Sequence, residues 1–499
     1  MKKITAITIL TLTALLPAAV VEAKPQTKKP PTPGRAKPSD KITVDNKDVS
    51  EDDDQATGDN VVLGGRDSWN RTPLNTPESV KRLEWFREAK YGMLISWGLF
   101  SVPASDLAIK GHRRRWSEFF MEYNRMPIKE YAKLATKFNP TRFNAEKWAD
   151  VAANAGMKYV VMMVKHKDGF LNYHSAVSAF NCFDATPWKR DALKELQVAC
   201  AKRHLKLCLY FSAQDWNEPG GTRPESKTWD PAQKGKFEDY VHKVAMPEIK
   251  EILTNYGPIG LVRFDAGGFP EDLTKEVANL MRVTAPDTLI NSRVGPGGVH
   301  DYMDLRDRET YPAKETRFSW ETVGMLNESW GFRAGDTRWK SPQTACFKLV
   351  DIVSKGGNYL LNMGPDAQGV MPEAGVKTLK AVGDWLKVNG EMIYGAQATP
   401  FGVEFGAPMR DPHSSRLKAS SKNDWRCTAK DGKLYICFFK WPAAKFKLTG
   451  LKNKVTKAYL LADPDRKPLP VTQTDGNLMV SLPEKAPDTL ASVLCLENQ

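Results

Sequence analysis

The segment that decides the fold is Gly260-Leu261-Val262-Arg263-Phe264-Asp265-Ala266-Gly267-Gly268. A run with one charged residue in its middle ends on a carboxylate, and three small residues follow. Runs that are apolar almost throughout are typical of strands in a parallel sheet covered on both faces. The small residues after the run leave space above the Asp265 carboxylate for a ligand. The segment therefore predicts a buried parallel strand that ends at a binding site.

Similar strand-like runs recur on both sides of this segment, separated by stretches with the apolar spacing of helices. The predicted strands are Tyr91–Trp97, Lys158–Lys165, Lys206–Ser212, Gly260–Asp265, Thr288–Arg293 and Asn358–Met363. The predicted helices include Pro127–Lys137, Ala145–Ala155, Ala192–His204, Lys236–Asn255, Pro270–Thr284 and Glu373–Val388. This alternation predicts an α/β fold, a TIM-like (β/α)-barrel with one or two degenerate repeats. A doubly wound open sheet is the alternative, although no glycine-rich phosphate loop or dinucleotide fingerprint follows a strand.

The chain divides into four predicted parts. Residues 1–23 have the form of a secretory signal peptide, with a membrane anchor as the alternative, and residues 24–60 have the composition of a disordered linker. Residues 61–396 contain the barrel, and no stretch of the mature chain is apolar enough for a membrane span. Residues 397–499 predict an antiparallel β-sandwich from the short alternating runs Lys433–Phe439, Val455–Leu461, Leu478–Leu482 and Ala491–Cys495. The predicted location is secreted or periplasmic.

The charge balance favours some partners over others. The chain has 72 Lys and Arg against 59 Asp and Glu, a formal net charge of +13, which suits polyanionic surroundings such as sulfated glycans. No basic helix, finger or ribonucleoprotein motif accompanies the charge, so nucleic-acid binding is not predicted. The seven cysteines are an odd number without a Cys-x-x-Cys pair, which indicates neither a disulfide framework nor a zinc site. We expect buried free thiols.

Functional groups of a barrel lie at the carboxyl ends of its strands. Reading those ends brings aromatic, acidic, imidazole and guanidinium side chains to one rim: Ser96, Trp97, His166, Lys167, Tyr210, Asp265, Arg293, Trp320 and Glu321. Aromatic faces stack on the apolar side of a sugar, and charged groups bind its hydroxyls, so a carbohydrate is the predicted substrate. Each residue also has a structural interpretation, as a strand-end cap for Asp265 and as core packing for Trp97 and Trp320.

Asp265 and Glu321 are two carboxylates that the predicted strand ends bring to one site. At a separation of about 5–5.5 Å they would support a retaining glycosidase. One carboxylate would attack the anomeric carbon, and the other would protonate the leaving oxygen and then activate water. A salt-bridged loop residue is the alternative interpretation of Glu321.

At these residues the chain resembles the α-L-fucosidases of glycoside hydrolase family 29. The resemblance spans most of the mature chain through the ordered motifs Trp85–Gly92, Trp97–Val102, Ala155–Tyr159, His166–Phe170, Arg190–Asp191, Leu209–Ser212, Leu253–Pro258, Phe264–Asp265, Trp320–Thr322, Ser329–Gly331 and Ser354–Asn362. It implies a retaining mechanism on a barrel with a C-terminal β-domain, an oligo- or polysaccharide as partner, and no metal or other cofactor.

The resemblance also implies roles for single residues. Asp265 falls on the nucleophile of the family, and Glu321 falls where many members have the acid/base, with Glu309 and Glu328 as fallbacks in the same region. His166 matches the first of two adjacent histidines, Arg293 a sugar-contacting arginine, and Glu118 a glutamate in a loop that reaches the site. The expected sugar contacts are Ser96, Trp97, Glu118, His166, Lys167, Tyr210, Arg263, Arg293 and Trp320.

Four positions depart from the family pattern. Ser96 replaces a histidine that binds fucose hydroxyls, Lys167 replaces the second histidine of the pair, Arg263 replaces the tryptophan before the nucleophile, and Phe119 replaces a tryptophan after the loop glutamate. The first hypothesis is an active exo-acting α-L-fucosidase. The second is a catalytically impaired glycan-binding protein on a fucosidase scaffold.

The departures also bear on the substrate. Lys167 and Arg263 add two cations near the sugar, which suits a sulfated or otherwise anionic fucose-containing glycan. The alternative is that Arg263 points away from the pocket and pairs with a carboxylate.

Overall fold

The computed structural model describes residues 73–103, 116–305, 318–401, 425–442 and 444–499. The predicted signal peptide, the predicted linker and Glu309 lie outside these described residues. Within the described ranges, no helix combines the length and the apolar character needed to cross a membrane.

Eight parallel strands in the described residues form the sheet that the sequence predicts as a barrel. They are β1 Tyr91–Ile95, β2 Tyr159–Lys165, β3 Lys206–Ser212, β4 Leu261–Asp265, β5 Leu289–Ile290, β6 Met303–Asp304, β7 Trp320–Met325 and β8 Asn358–Met363. Their spatial order is β5-β4-β3-β2-β1-β8-β7-β6. A parallel bridge between Asn291 and Tyr302 joins the two outer strands, and the Asp301 amide donates to the Ile290 carbonyl at 2.8 Å. These contacts close the curled sheet, which confirms the predicted fold class.

The two degenerate repeats are β5 and β6, with two residues each. The sequence pattern did not predict β6 or β7 as strands. A two-residue strand is too short to show a period, and in β7 the polar side chains of Glu321 and Thr322 interrupt the apolar run. By contrast, β3 and β8 have the predicted bounds, because each has an apolar run long enough to mark both ends.

Helices connect the strands and cover the outside of the sheet. They are α1 Pro77–Arg82, α2 Glu84–Ala89, α3 Phe120–Tyr123, α4 Ile128–Ala132, α5 Ala145–Asn154, α6 Ala192–Lys202, α7 Phe237–Tyr240, α8 Met246–Asn255, α9 Glu271–Thr284, α10 Pro342–Ser354 and α11 Glu373–Asn389. The side chains of Asn144 and Asp191 accept hydrogen bonds from free backbone amides in the first turns of α5 and α6. Helix α10 is not among the helices named in the sequence analysis, and the predicted helix 236–255 is α7 and α8 joined by a π-helical turn at Val241–Ala245.

Apolar side chains fill the interior of the barrel at its amino-terminal end. Alternate strand residues face inward, and their apolar members form a core separate from the one beneath the helices. Phe86 of α2 packs on Tyr302 with ring centres 4.7 Å apart. The Phe86 carbonyl accepts a hydrogen bond from the Asn358 side chain at the start of β8. This plug leaves the carboxyl ends of the strands as the face where a ligand can enter.

The C-terminal strands form two antiparallel sheets, which confirms the predicted sandwich. Their strands are β9 Trp425–Lys430, β10 Lys433–Phe438, β11 Lys445–Leu448, β12 Val455–Leu460, β13 Val471–Thr474, β14 Asn477–Ser481 and β15 Ser492–Asn498. The orders are β12-β15-β10-β9 and β11-β14-β13, and Phe438 packs on Phe446 between the sheets at 4.8 Å. Arg426 of β9 binds Asp351 of α10 at 2.7 Å, which fixes this part on the barrel. All seven cysteines are buried free thiols.

Candidate active site

Asp265 is the last residue of β4 and keeps 27% of its side chain exposed. Residues 266–268 all have positive φ, with φ 65° at Ala266, where a residue with a Cβ atom is strained. The loop after β3 supports this turn through two hydrogen bonds. The Gln214 side chain donates to the Ala266 carbonyl at 2.6 Å, and the Arg223 side chain donates to the Gly267 carbonyl at 2.6 Å. The chain thus turns sharply away and leaves the carboxylate facing the open end of the barrel.

Three groups surround the Asp265 carboxylate. Arg293 donates from Nη1 to Oδ1 at 2.8 Å, the Tyr210 hydroxyl donates to Oδ2 at 2.9 Å, and Arg263 Nη1 lies 3.8 Å from Oδ2. Burial opposes ionisation, but the charges of Arg293 and Arg263 outweigh it and hold the pKa of Asp265 well below its usual range. The side chain is therefore a carboxylate, the form that a nucleophile requires.

Asp304 is a site residue that the sequence analysis did not single out. It ends β6 and lies 2.9 Å from Arg293 Nε and 2.7 Å from Arg263 Nη2, so one carboxylate orients both arginines. Its backbone amide donates to the Ser292 hydroxyl at 2.9 Å, which ties β6 to the turn after β5. The available signal was an acidic residue among apolar neighbours, Tyr302-Met303-Asp304-Leu305, in a strand too short to recognise.

The predicted position of Glu321 at a carboxyl strand end is wrong. Glu321 is the second residue of β7, four residues before the strand ends, and it is completely buried in the barrel interior. The Tyr159 hydroxyl donates to its Oε2 at 2.7 Å, and Arg263 Nε lies 3.7 Å from its Oε1. Burial raises the pKa of Glu321 to about 7 against the lowering effect of the Arg263 charge. The carboxyl group has no surface from which to protonate a leaving group.

Arg263 is also placed differently from its prediction as a substrate contact. Its side chain is 2% exposed and points into the barrel between Asp304, Asp265 and Glu321. A sugar or a sulfate group cannot reach a guanidinium that is enclosed in this way. The alternative interpretation, an arginine paired with carboxylates, describes the observed geometry.

Three further predicted sugar contacts are packing residues. The Trp97 ring lies among four aromatic rings, its Nε1 donates to the Asp366 carbonyl at 2.8 Å, and 1% of the residue is exposed. Trp320 belongs to the core beneath the helices, on the opposite face of β7 from the barrel interior. The buried Ser96 hydroxyl donates to Asn362 Oδ1 at 2.6 Å. None of the three presents surface to a ligand.

His166 and Lys167 form a wall beside the carboxylate. The imidazole of His166 stacks on Tyr210 with ring centres 6.1 Å apart and meets the Phe119 ring edge-on at 5.6 Å. Burial, reinforced by the Lys167 charge, lowers the pKa of His166 to about 3, so the ring is neutral. The Lys167 ammonium lies over the rings of Phe119 and Trp216 at 5.0 and 5.4 Å. The structure thus brings these predicted residues together with Tyr210, Arg293 and Asp265.

Two glutamates lie in the loops around this rim. Glu118, next to Phe119, is buried, and its Oε2 accepts a hydrogen bond from the Gly331 amide at 3.2 Å. Glu328 follows the carboxyl end of β7, with 31% of its side chain exposed and Arg338 as its ion-pair partner. Across the described ranges, no three His, Cys, Asp or Glu side chains come together as a metal site would require.

Comparison with known proteins shows what the chain is similar to. A family model described as alpha-L-fucosidase matches residues 68–391. The tissue alpha-L-fucosidase of Bos taurus is 30% identical over 431 residues, which cover 81% of this chain and 86% of that protein. The plasma alpha-L-fucosidase of Rattus norvegicus is 34% identical over 385 residues, which cover 72% of this chain and 77% of that protein.

Solved structures give the same result. The crystal structure of an alpha-L-fucosidase from Vibrio sp. strain EJY3 has a TM-score of 0.73 and 28% identity, covering 85% of this chain and 73% of that one. The alpha-L-fucosidase isoenzyme 1 from Paenibacillus thiaminolyticus has a TM-score of 0.70 and 29% identity, covering 85% of this chain and 100% of that one.

Proposed function

The chain belongs to the alpha-L-fucosidase family, glycoside hydrolase family 29, and we propose that it hydrolyses α-L-fucosidic bonds with Asp265 as the nucleophile. The observation that carries this proposal is the ionised Asp265 carboxylate, which faces the open end of the barrel between Arg293 and Tyr210. Arg293 contacts the carboxylate, and His166 stacks on Tyr210, whose hydroxyl donates to the carboxylate, so both side chains are available to bind the hydroxyls of a sugar ring there.

The reaction has two displacement steps. In the first, an oxygen of Asp265 attacks the anomeric carbon, and the leaving oxygen departs with the bonding electrons and receives a proton from an acid. In the second, the same acid, now a base, removes a proton from water, which attacks the anomeric carbon and releases Asp265. Two inversions retain the configuration. Arg293 serves both steps, because a carboxylate with a low pKa is ionised before attack and departs readily afterwards.

We propose that the acid/base is Glu309 or Glu328 rather than the buried Glu321. Glu328 follows the carboxyl end of β7, on the side of the barrel where Asp265 is exposed. Glu309 lies outside the described residues and is kept as the fallback that the family resemblance implies. Glu321 lies on the other side of the Arg263 guanidinium.

Azide rescue on an aryl α-L-fucoside tests these assignments. In Asp265→Gly, azide should enter the space of the carboxylate and give the β-fucosyl azide, since it reacts in one inversion. The acid/base variant among Glu309→Gln, Glu321→Gln and Glu328→Gln should give the α-fucosyl azide, because the nucleophile still acts. Asp272→Asn, on the exposed first turn of α9, is the control that should behave as the wild type. Absence of fucoside turnover in the wild-type protein contradicts the proposal and favours the glycan-binding alternative.

We further propose that Lys167 recognises an anionic group on the glycan. Arg263 is enclosed by carboxylates, whereas the Lys167 ammonium lies at the rim, over Phe119 and Trp216. Lys167→Ala should reduce kcat/KM for a sulfated fucoside more than for the matched plain fucoside. Lys206→Ala is the matched control, because the Lys206 ammonium also lies over an aromatic ring, Trp85 at 5.1 Å, but at the amino-terminal end of β3. Equal losses on both substrates contradict the proposal.

We also propose that the protein is exported. The support is the signal-like composition of residues 1–23, together with relatives named as plasma alpha-L-fucosidases. N-terminal sequencing of the protein from the host's extracellular or periplasmic fraction tests it. A mature chain that begins close to residue 24 is expected, and an intact Met1 in that fraction contradicts cleavage.

A further inference from the structure

A fully enclosed arginine lies directly below the nucleophile. The three nitrogens of the Arg263 guanidinium lie within ion-pair distance of three carboxyl groups: Nη2 lies 2.7 Å from Asp304, Nε 3.7 Å from Glu321, and Nη1 3.8 Å from Asp265. Burying an ion is costly unless partners compensate its charge. The buried charge of Arg263 therefore depends on all three carboxyl groups for its compensation.

We infer that Arg263 is a positioning residue for Asp265 and that Glu321 is its buried counter-ion rather than the acid/base. The inference rests on the proposed role of Asp265 as nucleophile. It assigns a function to two side chains that the two-step reaction does not otherwise use.

Arg263 acts on the nucleophile in two ways. Its charge lies close to Asp265 Oδ2, the oxygen that also accepts a hydrogen bond from the Tyr210 hydroxyl. Its guanidinium also packs over the Tyr210 ring at 5.9 Å, which helps to hold that hydroxyl in place. Loss of Arg263 should therefore both disorder the carboxylate and make it harder to ionise.

Glu321 acts by holding Arg263. Its Oε2 accepts a hydrogen bond from the Tyr159 hydroxyl, and its Oε1 forms an ion pair with Arg263 Nε at 3.7 Å. The count of charges explains why a third acid is present. When the sugar is attached to Asp265 the carboxylate becomes a neutral ester, so Arg263 and Arg293 then face a single charged partner, Asp304. The Arg263 charge lowers the pKa of Glu321 against the effect of burial, so this carboxyl group can ionise and supply the missing negative charge when the ester forms. Its distance from the open face does not matter for that purpose.

A set of four variants separates this role from that of an acid/base. Arg263→Met should lower kcat/KM by about 10- to 100-fold and move the acidic limb of the pH–rate profile upward by about one pH unit, the effect of losing a nearby opposite charge. Arg263→Lys keeps the charge and should restore the limb. Glu321→Gln should lose equal activity on fucosides with good and poor leaving groups, without azide rescue. The double variant Arg263→Met/Glu321→Gln should be no worse than Arg263→Met, since the counter-ion has nothing left to hold.

Two controls keep the result interpretable. Arg203→Met removes an arginine that binds two carboxylates, Glu146 and Asp150, on the outside of the barrel, and it should leave the pH profile unchanged. Arg263→Gln removes the charge but keeps a polar side chain, so it gives the same test if Arg263→Met does not fold.

Either of two results overturns the inference. One is an acidic limb that stays in place in the folded Arg263 variants. The other is a Glu321→Gln enzyme that loses far more activity on poor leaving groups and yields α-fucosyl azide. Wild-type turnover is measured first, so that a failure of the fucosidase proposal itself appears there, before any variant is compared.

Discussion

Replacing Arg293 by methionine should move the acidic limb of the pH–rate profile towards neutral pH. Asp265 attacks as a carboxylate, so the rate falls as the pH drops through its pKa. In the wild type that pKa is held well below its usual range, and Arg293 is the stronger of the two charges responsible. Without Arg293, burial raises the pKa of Asp265, and the Arg263 charge is the stronger of the two lowering effects that remain, beside the backbone hydrogen bond from Ala266.

The size of the shift follows from the geometry. Arg293 Nη1 lies 2.8 Å from Asp265 Oδ1. Two unit charges about 4 Å apart interact by about 4 kcal/mol near a protein surface, and an opposite charge at this range lowers a carboxyl pKa by about 1–3 units. Because 16% of the Arg293 side chain is exposed, solvent screens part of the interaction. We expect a rise of about 1–2 units, which corresponds to about 1.4–2.7 kcal/mol.

The assay is kcat/KM for an aryl α-L-fucoside across the acidic range. Arg223→Met is the control, since Arg223 also lies at the rim but donates to the Gly267 carbonyl instead of the Asp265 carboxylate. The control should lower the whole curve without moving its acidic limb. An Arg293→Met enzyme whose curve is lower but keeps the wild-type limb would refute the reasoning.

Three other changes have defined outcomes. Trp97→Ala should reduce the free energy of unfolding by about 3–5 kcal/mol in denaturant melts while KM changes little, because the ring packs in the core; a large rise in KM at unchanged stability contradicts this. The pKa of His166 is about 3 in the folded protein and about 6.5 when unfolded, so the unfolded state binds the proton first and stability falls as the pH drops from about 6.5 to about 3. His166→Gln should lack that contribution, about 2.7 kcal/mol at two units below 6.5, and melts with the same pH dependence as the wild type contradict it. Asp304→Asn removes the partner of two arginines and should cost about 3–5 kcal/mol of stability, so an unchanged melting curve would count against the network.

The sequence predicted those features that local patterns determine. The apolar run ending in Asp265 and the small residues after it give both the strand β4 and the exposed carboxylate. His166 and Arg293 follow strand ends that are equally local, and the structure brings both to the same rim. Each of these positions depends on where a single strand stops, which neighbouring residues reveal.

The remaining features depend on how strands are aligned with one another. Glu321 faces the interior because β7 begins at Trp320, and only its pairing with β6 and β8 fixes that start. Which face of the strand Trp320 occupies follows from the same register. Asp304 lies in a two-residue strand that its partners create. Long-range pairing of this kind leaves no period within a single segment.

The measurement that most directly tests the central claim is covalent trapping of the nucleophile. A 2-deoxy-2-fluoro fucosyl fluoride should inactivate the enzyme, and peptide mass spectrometry should find one added fluorofucosyl group on Asp265, the residue that ends β4. Asp265→Asn should take up no label. A label on another carboxylate would contradict the account. So would an enzyme that hydrolyses the aryl fucoside but is not inactivated by the reagent.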